Sequence, residues 1–154
     1  MDKNILIEYA DMKEEIKDLR RRIEQNKKEL SRLNGQIVMD SVSCGKKGKK
    51  PLGTVKITGR PVTAISRKES LLNRRIRRLE ELEEELLELT IQVDEYIETI
   101  EKSELRIIFR LYYIDDLTWY QVALRMNQNF PKRKVKYTED NCRMRHNRFL
   151  EKLE

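Results

Sequence analysis

The chain has few of the residues from which catalytic and metal sites are built. Its 154 residues include one histidine and two cysteines, and Cys44 and Cys142 stand far apart with no other ligand types beside them. A zinc site needs three or four clustered ligands, and acid–base catalysis needs an acid, a base and a nucleophile together. The sequence therefore predicts no metal, no cofactor and no enzyme. Free thiols also fit a reducing compartment.

Long apolar runs are lacking as well. No run approaches the roughly 20 residues that a membrane-spanning helix needs. The N-terminal stretch "MDKNILIEYADMKEE" carries acids in its first turns and has no apolar signal-peptide core. We therefore expect a cytoplasmic protein that does not bind membranes.

Aromatic residues make up 6% of the chain and charged residues 39%, which leaves little material for a large globular core. This composition is typical of long helices that bury narrow apolar stripes. The charge is unevenly distributed: residues 41–68 carry 8 basic and no acidic side chains, residues 69–104 carry 5 against 12, and residues 105–154 carry 11 against 6. A polyanionic partner is plausible for the two basic regions and not for the acidic region between them.

Two heptad-like stripes predict two long helices. The first helix is expected from about Lys3 to Val38, and its stripe contains Asn26, a buried amide that can fix register. The apolar positions step by three and four residues. In the first stripe they are Ile5, Tyr9, Met12, Ile16, Leu19, Ile23, Leu30, Leu33 and Ile37, and in the second Leu72, Ile76, Leu79, Leu82, Leu86, Leu89, Val93, Tyr96 and Ile100.

The two predicted helices are of similar length and joined by a basic connector at about residues 39–65. An antiparallel coiled-coil hairpin over residues 1–102 is the simplest arrangement, and self-association through the same stripes competes with it. The connector contains "TVKIT", a strand candidate without an evident partner, so we expect it to be flexible. Its "KKGKKPLGTVKITGRP" stretch has three readings: a solvated linker, lysines attracted to phosphate, or minor-groove insertion of Arg60.

Residues 103–154 predict three short helices. Ser103 is expected to cap the first, from Glu104 to about Tyr113. Thr118 opens "TWYQ", a capping box for a second helix that buries Val122, Ala123 and Met126. Thr138 is expected to cap the last helix, with acids in its first turn. Its predicted inward residues are Cys142, Phe149, Leu150 and Leu153, its predicted outward residues are Arg143, Met144, Asn147 and Arg148, and Arg145 and His146 lie near the boundary.

Three capped helices, the last rich in Arg and Asn, are typical of a helix-turn-helix, although the last helix could instead be an amphipathic helix that only packs. We expect it to contact DNA, since guanidinium groups pair with guanine edges or phosphates and Asn can read adenine. We expect His146 to lie on the helix surface or on its phosphate side, rather than to be a catalyst. For Trp119 and Tyr120 we favour packing over a partner surface.

The stretch "ELRIIFRLYYIDDLTWYQVALRM" resembles the start of region 4 of sigma-70-type factors, whose pattern is Leu-x-Tyr-Ile-Asp-Gly-Leu-Thr-x-x-x-Ile-Ala. The matching positions are Leu111, Tyr113, Ile114, Asp115, Leu117, Thr118, Val122 and Ala123. "TEDNCRMRHNRFLEKL" resembles the recognition helix of that region, and its His146–Arg148–Leu150 spacing is similar to small phage regulators of the ArpU/RinA type. The motifs cover about the last 50 residues.

The apolar stripes and the resemblance together predict an all-α protein: a long coiled-coil helical hairpin followed by a C-terminal three-helix, sigma-70 region-4-like helix-turn-helix. The resemblance implies a phage- or prophage-encoded activator of late genes, acting in the bacterial host cytoplasm and recruiting host RNA polymerase. Two departures stand out. The loop between the last two helices has about ten residues where three or four are usual, and nothing resembles a promoter-melting region, so we expect no melting by this chain alone.

The residues expected to contact DNA lie on the last helix and in the loop before it. On the helix, Asn141, Arg143, Met144 and Asn147 are placed toward bases. Arg148 is placed toward phosphate or the fold, and Arg145 lies near the boundary. The loop residues are Lys132, Arg133, Lys134 and Lys136.

We therefore predict a sequence-specific, duplex-DNA-binding transcriptional regulator, with a possible homodimer through the coiled coil. One alternative is a DNA-packaging recognition subunit similar to small terminase proteins, which ring-sized oligomers would favour. Another is a coiled-coil adaptor that binds protein, whose binding should barely respond to salt.

Overall fold

The computed structural model describes residues 3–35, 38–44, 53–59 and 62–153. These residues form five α-helices and two β-strands. The helices are α1 (Asn4–Asn34), α2 (Val62–Glu98), α3 (Ser103–Phe109), α4 (Trp119–Asn129) and α5 (Glu139–Glu151), and the strands are β1 (Val38–Cys44) and β2 (Gly53–Gly59). A π-helical turn, Arg110–Ile114, continues α3 directly.

The predicted all-α class is confirmed: a long hairpin of α1 and α2 is followed by three shorter helices. The apolar stripes lie inside this hairpin. Buried members of the predicted stripes are Tyr9, Ile16, Ile23, Asn26 and Leu30 in α1, and Leu82, Leu89, Val93 and Tyr96 in α2.

The first helix ends earlier than predicted, at Asn34 rather than Val38. The Gly35 N–H closes it by donating to the carbonyls of Ser31 and Arg32, at 3.3 and 3.2 Å. A Cβ at position 35 would meet these two carbonyl oxygens at 3.8 and 3.6 Å, which is ordinary contact, so the two hydrogen bonds and not the absent side chain mark the end of the helix. Ile37, the last predicted stripe position, lies outside the described residues.

The connector contains a two-stranded antiparallel hairpin. β1 pairs with β2 in a register that places Val38 opposite Gly59 and Cys44 opposite Gly53. The strand candidate at residues 54–58 is confirmed, but the expectation that it had no partner was wrong, because β1 was not recognised. The lysines at 46–50 and the Arg60–Pro61 pair lie outside the described residues.

Compact packing divides the chain into two units, Met1–Ile16 with Leu82–Glu154, and Lys17–Glu81. In the first unit one core joins the start of α1, the end of α2 and α3, with Phe149 and Leu150 of α5 packed against it. Its buried members are Leu6, Tyr9, Leu89, Val93, Tyr96, Ile97, Ile100 and Phe109. The domain boundary predicted after residue 102 stays a prediction, and this core contains residues from both sides of it.

In the second unit a polar pair crosses the hairpin. Asn26 is buried, and its Oδ1 accepts a hydrogen bond from the Arg75 guanidinium. Nearer the connector, Lys68 Nζ lies 2.7 Å from Glu29 Oε2. A buried amide with one specific partner penalises slipped registers, because slippage would leave it unpaired.

The first unit also ties α1 to the end of the π-helical turn. Lys13 Nζ donates to the carbonyls of Tyr113 and Ile114, at 2.9 and 3.3 Å, and lies 3.9 Å from Asp116. Asp116 has a φ of 56°, the one positive value at a non-glycine residue in the described chain. The chain reverses there, and the Leu117 N–H returns to the Leu111 carbonyl at 3.1 Å.

None of the helices within the described ranges is long and apolar enough to cross a membrane.

Candidate nucleic-acid interface

The helices α4 and α5 begin at the predicted caps. Thr118 Oγ1 accepts from the Gln121 N–H at 3.3 Å, and Gln121 Oε1 accepts from the Thr118 N–H at 3.0 Å, which completes the capping box. Thr138 Oγ1 accepts from the Asn141 N–H at 3.2 Å. Both predictions are confirmed, and the capped first turns fix where each helix starts.

The predicted cap at Ser103 was wrong. The cap position is Lys102, whose side chain makes no capping bond, and Ser103 is the first helical residue. The Ser103 hydroxyl instead accepts from the Arg106 guanidinium at 2.9 Å.

A second apolar cluster holds α3, α4 and α5 together. Its buried members are Ile108, Leu111, Val122, Ala123, Met126, Tyr137 and Cys142. The predicted inward residues of α4 and Cys142 of α5 are therefore confirmed. Burial raises the pKa of the Cys142 thiol to about 11, so it is a packing group rather than a nucleophile.

The outward face of α5 carries the predicted set. Arg143, Met144, Asn147 and Arg148 are all exposed. Arg143 lies above Asn147, and Met144 above Arg148, because residues four apart share a helix face. The side chain of Arg143 lies 2.9 Å from Asp140 Oδ1, one turn earlier. The result is an exposed surface with guanidinium, amide and thioether groups.

Two expectations on α5 and one on α4 were wrong. Leu153 lies beyond the end of α5 and is 50% exposed, not inward. His146 is buried, not on the surface, because aromatic rings of α3, the π-helical turn and α4 surround it. Trp119 packs as expected, stacked on Tyr112 at 4.1 Å between ring centroids, but its neighbour Tyr120 is 62% exposed.

Asn127 holds the end of the loop between α4 and α5. Asn127 Nδ2 donates to the Tyr137 carbonyl at 2.9 Å, and the Tyr137 N–H donates to Asn127 Oδ1 at 2.8 Å. The two bonds pin the end of the loop to α4 just before α5 begins. Sequence reasoning missed Asn127, since an asparagine late in a helix gives no local sign of its partner.

Glu104 is the second residue that sequence reasoning missed. It is 17% exposed, forms an ion pair with Arg145, and lies 3.3 Å from the Arg133 guanidinium. Both arginines also lie over the Tyr137 ring, at 5.8 and 5.4 Å from its centroid. Burial, and then the nearby Glu104 carboxylate, raise the pKa of Tyr137 to about 12.

The predicted DNA-contacting residues differ in whether they already contact other groups of the protein. Arg133 and Arg145 are drawn to Glu104, and Lys136 Nζ donates to the Pro131 carbonyl at 3.0 Å. Asn141 is half-buried, and its Nδ2 donates to the Lys136 carbonyl at 3.3 Å. All of the predicted residues except Asn141 are exposed. Arg143 pairs with Asp140, whereas Lys132, Lys134 and Arg148 have no ion pair within the described residues. DNA contact by any of them stays a prediction.

Comparison of the chain with protein-family models, curated proteins and solved structures gave no match.

Proposed function

We propose that the chain is a sequence-specific, duplex-DNA-binding transcriptional regulator, with α4 and α5 as its helix-turn-helix and α5 in the major groove. The observation that carries this proposal is the outward face of α5. Arg143, Asn147 and Arg148 are exposed on a helix whose start is capped and whose opposite face is packed. Such a helix presents hydrogen-bonding groups at fixed spacing, which base recognition requires.

A backbone feature supports the likeness to sigma-70 region 4. The family pattern has glycine between its Asp and Leu, and Asp116 occupies that position here. Asp116 is the residue with a φ of 56°. Glycine adopts such angles freely and Asp tolerates them better than most residues. The turn therefore has the conformation that the glycine of the pattern would favour, although the side chain differs.

Phosphate contacts are assigned to the predicted cations that have neither an ion pair nor a hydrogen bond to the chain itself within the described residues. Lys132, Lys134 and Arg148 are exposed, and none has an ion pair within the ranges that the structure describes. Neutralising phosphates supplies most of the nonspecific affinity of DNA-binding proteins. Three such contacts would lower the affinity by roughly 1.6 decades between 50 and 200 mM salt, and about six, as in a dimer, by roughly three decades. A protein-binding adaptor with an apolar interface would show little of this dependence.

The regulator would act as a phage or prophage late-gene activator that recruits host RNA polymerase, as the ArpU/RinA resemblance implies. Homodimerisation through the coiled coil is part of the same proposal. The stripe residues already pack within the hairpin, so a dimer would need further surface or an opened hairpin. Sedimentation at several protein concentrations measures the oligomeric state directly.

The test is a pull-down of fragmented genomic DNA from the source organism at about 150 mM salt. The wild-type chain is compared with Arg143→Ala/Arg148→Ala and with Arg74→Ala/Arg77→Ala, which removes two exposed arginines from α2. We expect one intergenic fragment to be enriched by the wild type and by the α2 variant but not by the α5 variant.

Other results would change the conclusion. Enrichment only beside DNA-packaging genes would favour a terminase-like recognition subunit. If no fragment is enriched, the proposal of sequence-specific binding fails. Equal loss in both double variants would mean that net charge, not the α5 face, carries the binding.

A further inference from the structure

The outward face of α5 is connected to the interior by a short hydrogen-bonded chain. Tyr113 Oη lies 2.8 Å from His146 Nε2, and His146 Nδ1 lies 2.9 Å from Asn147 Oδ1. Tyr113 comes from the π-helical turn, whereas Asn147 is exposed on the proposed DNA-reading face. His146 itself is buried against the rings of Phe109 and Trp119, at 4.9 and 5.0 Å between centroids.

The protonation states of His146 and Tyr113 follow from which atoms in this series of hydrogen bonds can only accept. A carbonyl oxygen only accepts, so Nδ1 of His146 must carry a proton and donate to Asn147. A neutral imidazole then has a lone pair on Nε2, which accepts from the Tyr113 hydroxyl. Burial holds the pKa of His146 below its usual value and raises the pKa of Tyr113, so the neutral forms of both are favoured.

We propose that His146 is a positioning residue that sets which base Asn147 reads. The imidazole holds Asn147 Oδ1 back against the helix, so the Nδ2 amide group points outward and offers donors to the groove. This inference rests on the proposed DNA-binding function, because it assigns specificity within the same face.

The base that fits a donor-only group is guanine. In the major groove guanine presents two acceptors, N7 and O6, whereas adenine presents the N7 acceptor beside an N6 donor. An asparagine free to rotate pairs with adenine through its oxygen and its nitrogen together. With Oδ1 turned toward His146, the adenine N6–H lacks its acceptor. Asn147 should therefore select guanine and discriminate against adenine.

The test is selection from a random duplex library by the full chain and three variants. His146→Phe keeps an aromatic ring of similar shape and removes both nitrogens. Tyr113→Phe keeps the imidazole and removes the hydroxyl that donates to its Nε2. Asn147→Ala removes the reading group and identifies the base position that it contacts. Thermal melting establishes that each variant is folded.

At the position lost in Asn147→Ala we expect the wild type to prefer guanine over adenine by about 5- to 150-fold, the range of one good bidentate contact. His146→Phe should reduce that ratio to near one while preferences at other positions remain. Tyr113→Phe should reduce it in part, and it provides the same test should His146→Phe not fold.

Two results overturn this inference and leave the proposed function intact. One is a wild-type preference for adenine at that position, and the other is a guanine preference that is unchanged in both His146→Phe and Tyr113→Phe. If the wild type selects no sequence, the proposed function fails, and this inference fails with it. A merely structural role for His146 predicts a uniform loss of affinity at every position, which is a third distinguishable result and also overturns the inference.

Discussion

Replacing Glu104 with glutamine should have opposite effects on stability and on DNA binding. Glu104 draws Arg133 of the loop and Arg145 of α5 toward α3. Its substitution removes the shared carboxylate without changing the length of the side chain. Both arginines would then be available to phosphates, which are the predicted partners of this loop and helix.

The expected loss of stability is modest. Glu104 is 17% exposed, but the two arginine side chains are 45% and 42% exposed, so solvent screens both pairs. Pairs of this kind contribute up to about 1 kcal/mol each, so Glu104→Gln should cost up to about 2 kcal/mol. For a chain of this size that corresponds to roughly 2–4 °C in Tm per kcal/mol.

The expected gain is in nonspecific DNA binding. Two released guanidinium groups can neutralise up to two more phosphates, which would steepen the slope of log affinity against log salt by up to about 1.8. The assay is fluorescence anisotropy on a short random duplex between 50 and 200 mM salt, with thermal melting in parallel. Glu101→Gln is the matched control, since it removes the same charge from an exposed residue two positions from α3. An unchanged slope in Glu104→Gln, or an equal change in both variants, would refute the reasoning.

Three further predictions concern the stability of the C-terminal helices. Asp116→Ala should be less stable than Asp116→Gly by about 1–2 kcal/mol in denaturant unfolding. Both variants lose the carboxylate, and only alanine is strained at the positive φ of this position. Equal stability of the two variants would argue against that backbone conformation. Thr118→Ala should cost about 1 kcal/mol through the lost cap, whereas Ser103→Ala, at a position that caps nothing, should cost less than about 0.5 kcal/mol. Because burial lowers the pKa of His146, the unfolded chain binds the proton first, so stability should fall as the pH drops below about 6.5, by up to about 1.4 kcal/mol per pH unit from this group. A wild-type minus His146→Phe difference that is flat between pH 7 and 5 would contradict this last prediction.

The features predicted well from the sequence are those set by local patterns. The stripes of α1 and α2 follow from three- and four-residue steps, and the caps at Thr118 and Thr138 bond to an N–H three residues away. Such contacts are readable because both partners lie within one helical turn. The outward set on α5 follows from the same periodicity.

The features that were missed join residues far apart in sequence. Glu104 and Arg145 are 41 positions apart, and Tyr113 and His146 are 33 apart. The burial of His146 depends on rings from three other elements, so its position on α5 alone left it at a boundary. β1 was missed for a different reason: its stretch VMDSVSC contains an aspartate, a residue that strands disfavour.

The most direct test of the central claim is a titration of the isotope-labelled chain with the duplex enriched from the genome, followed by amide NMR. We predict that amide signals of residues 139–148 shift in the wild type, that those of residues 17–34 do not, and that Arg143→Ala/Arg148→Ala abolishes the shifts. Shifts confined to α1 and α2, with α5 unaffected, would contradict the assignment of α5 as the DNA-binding helix.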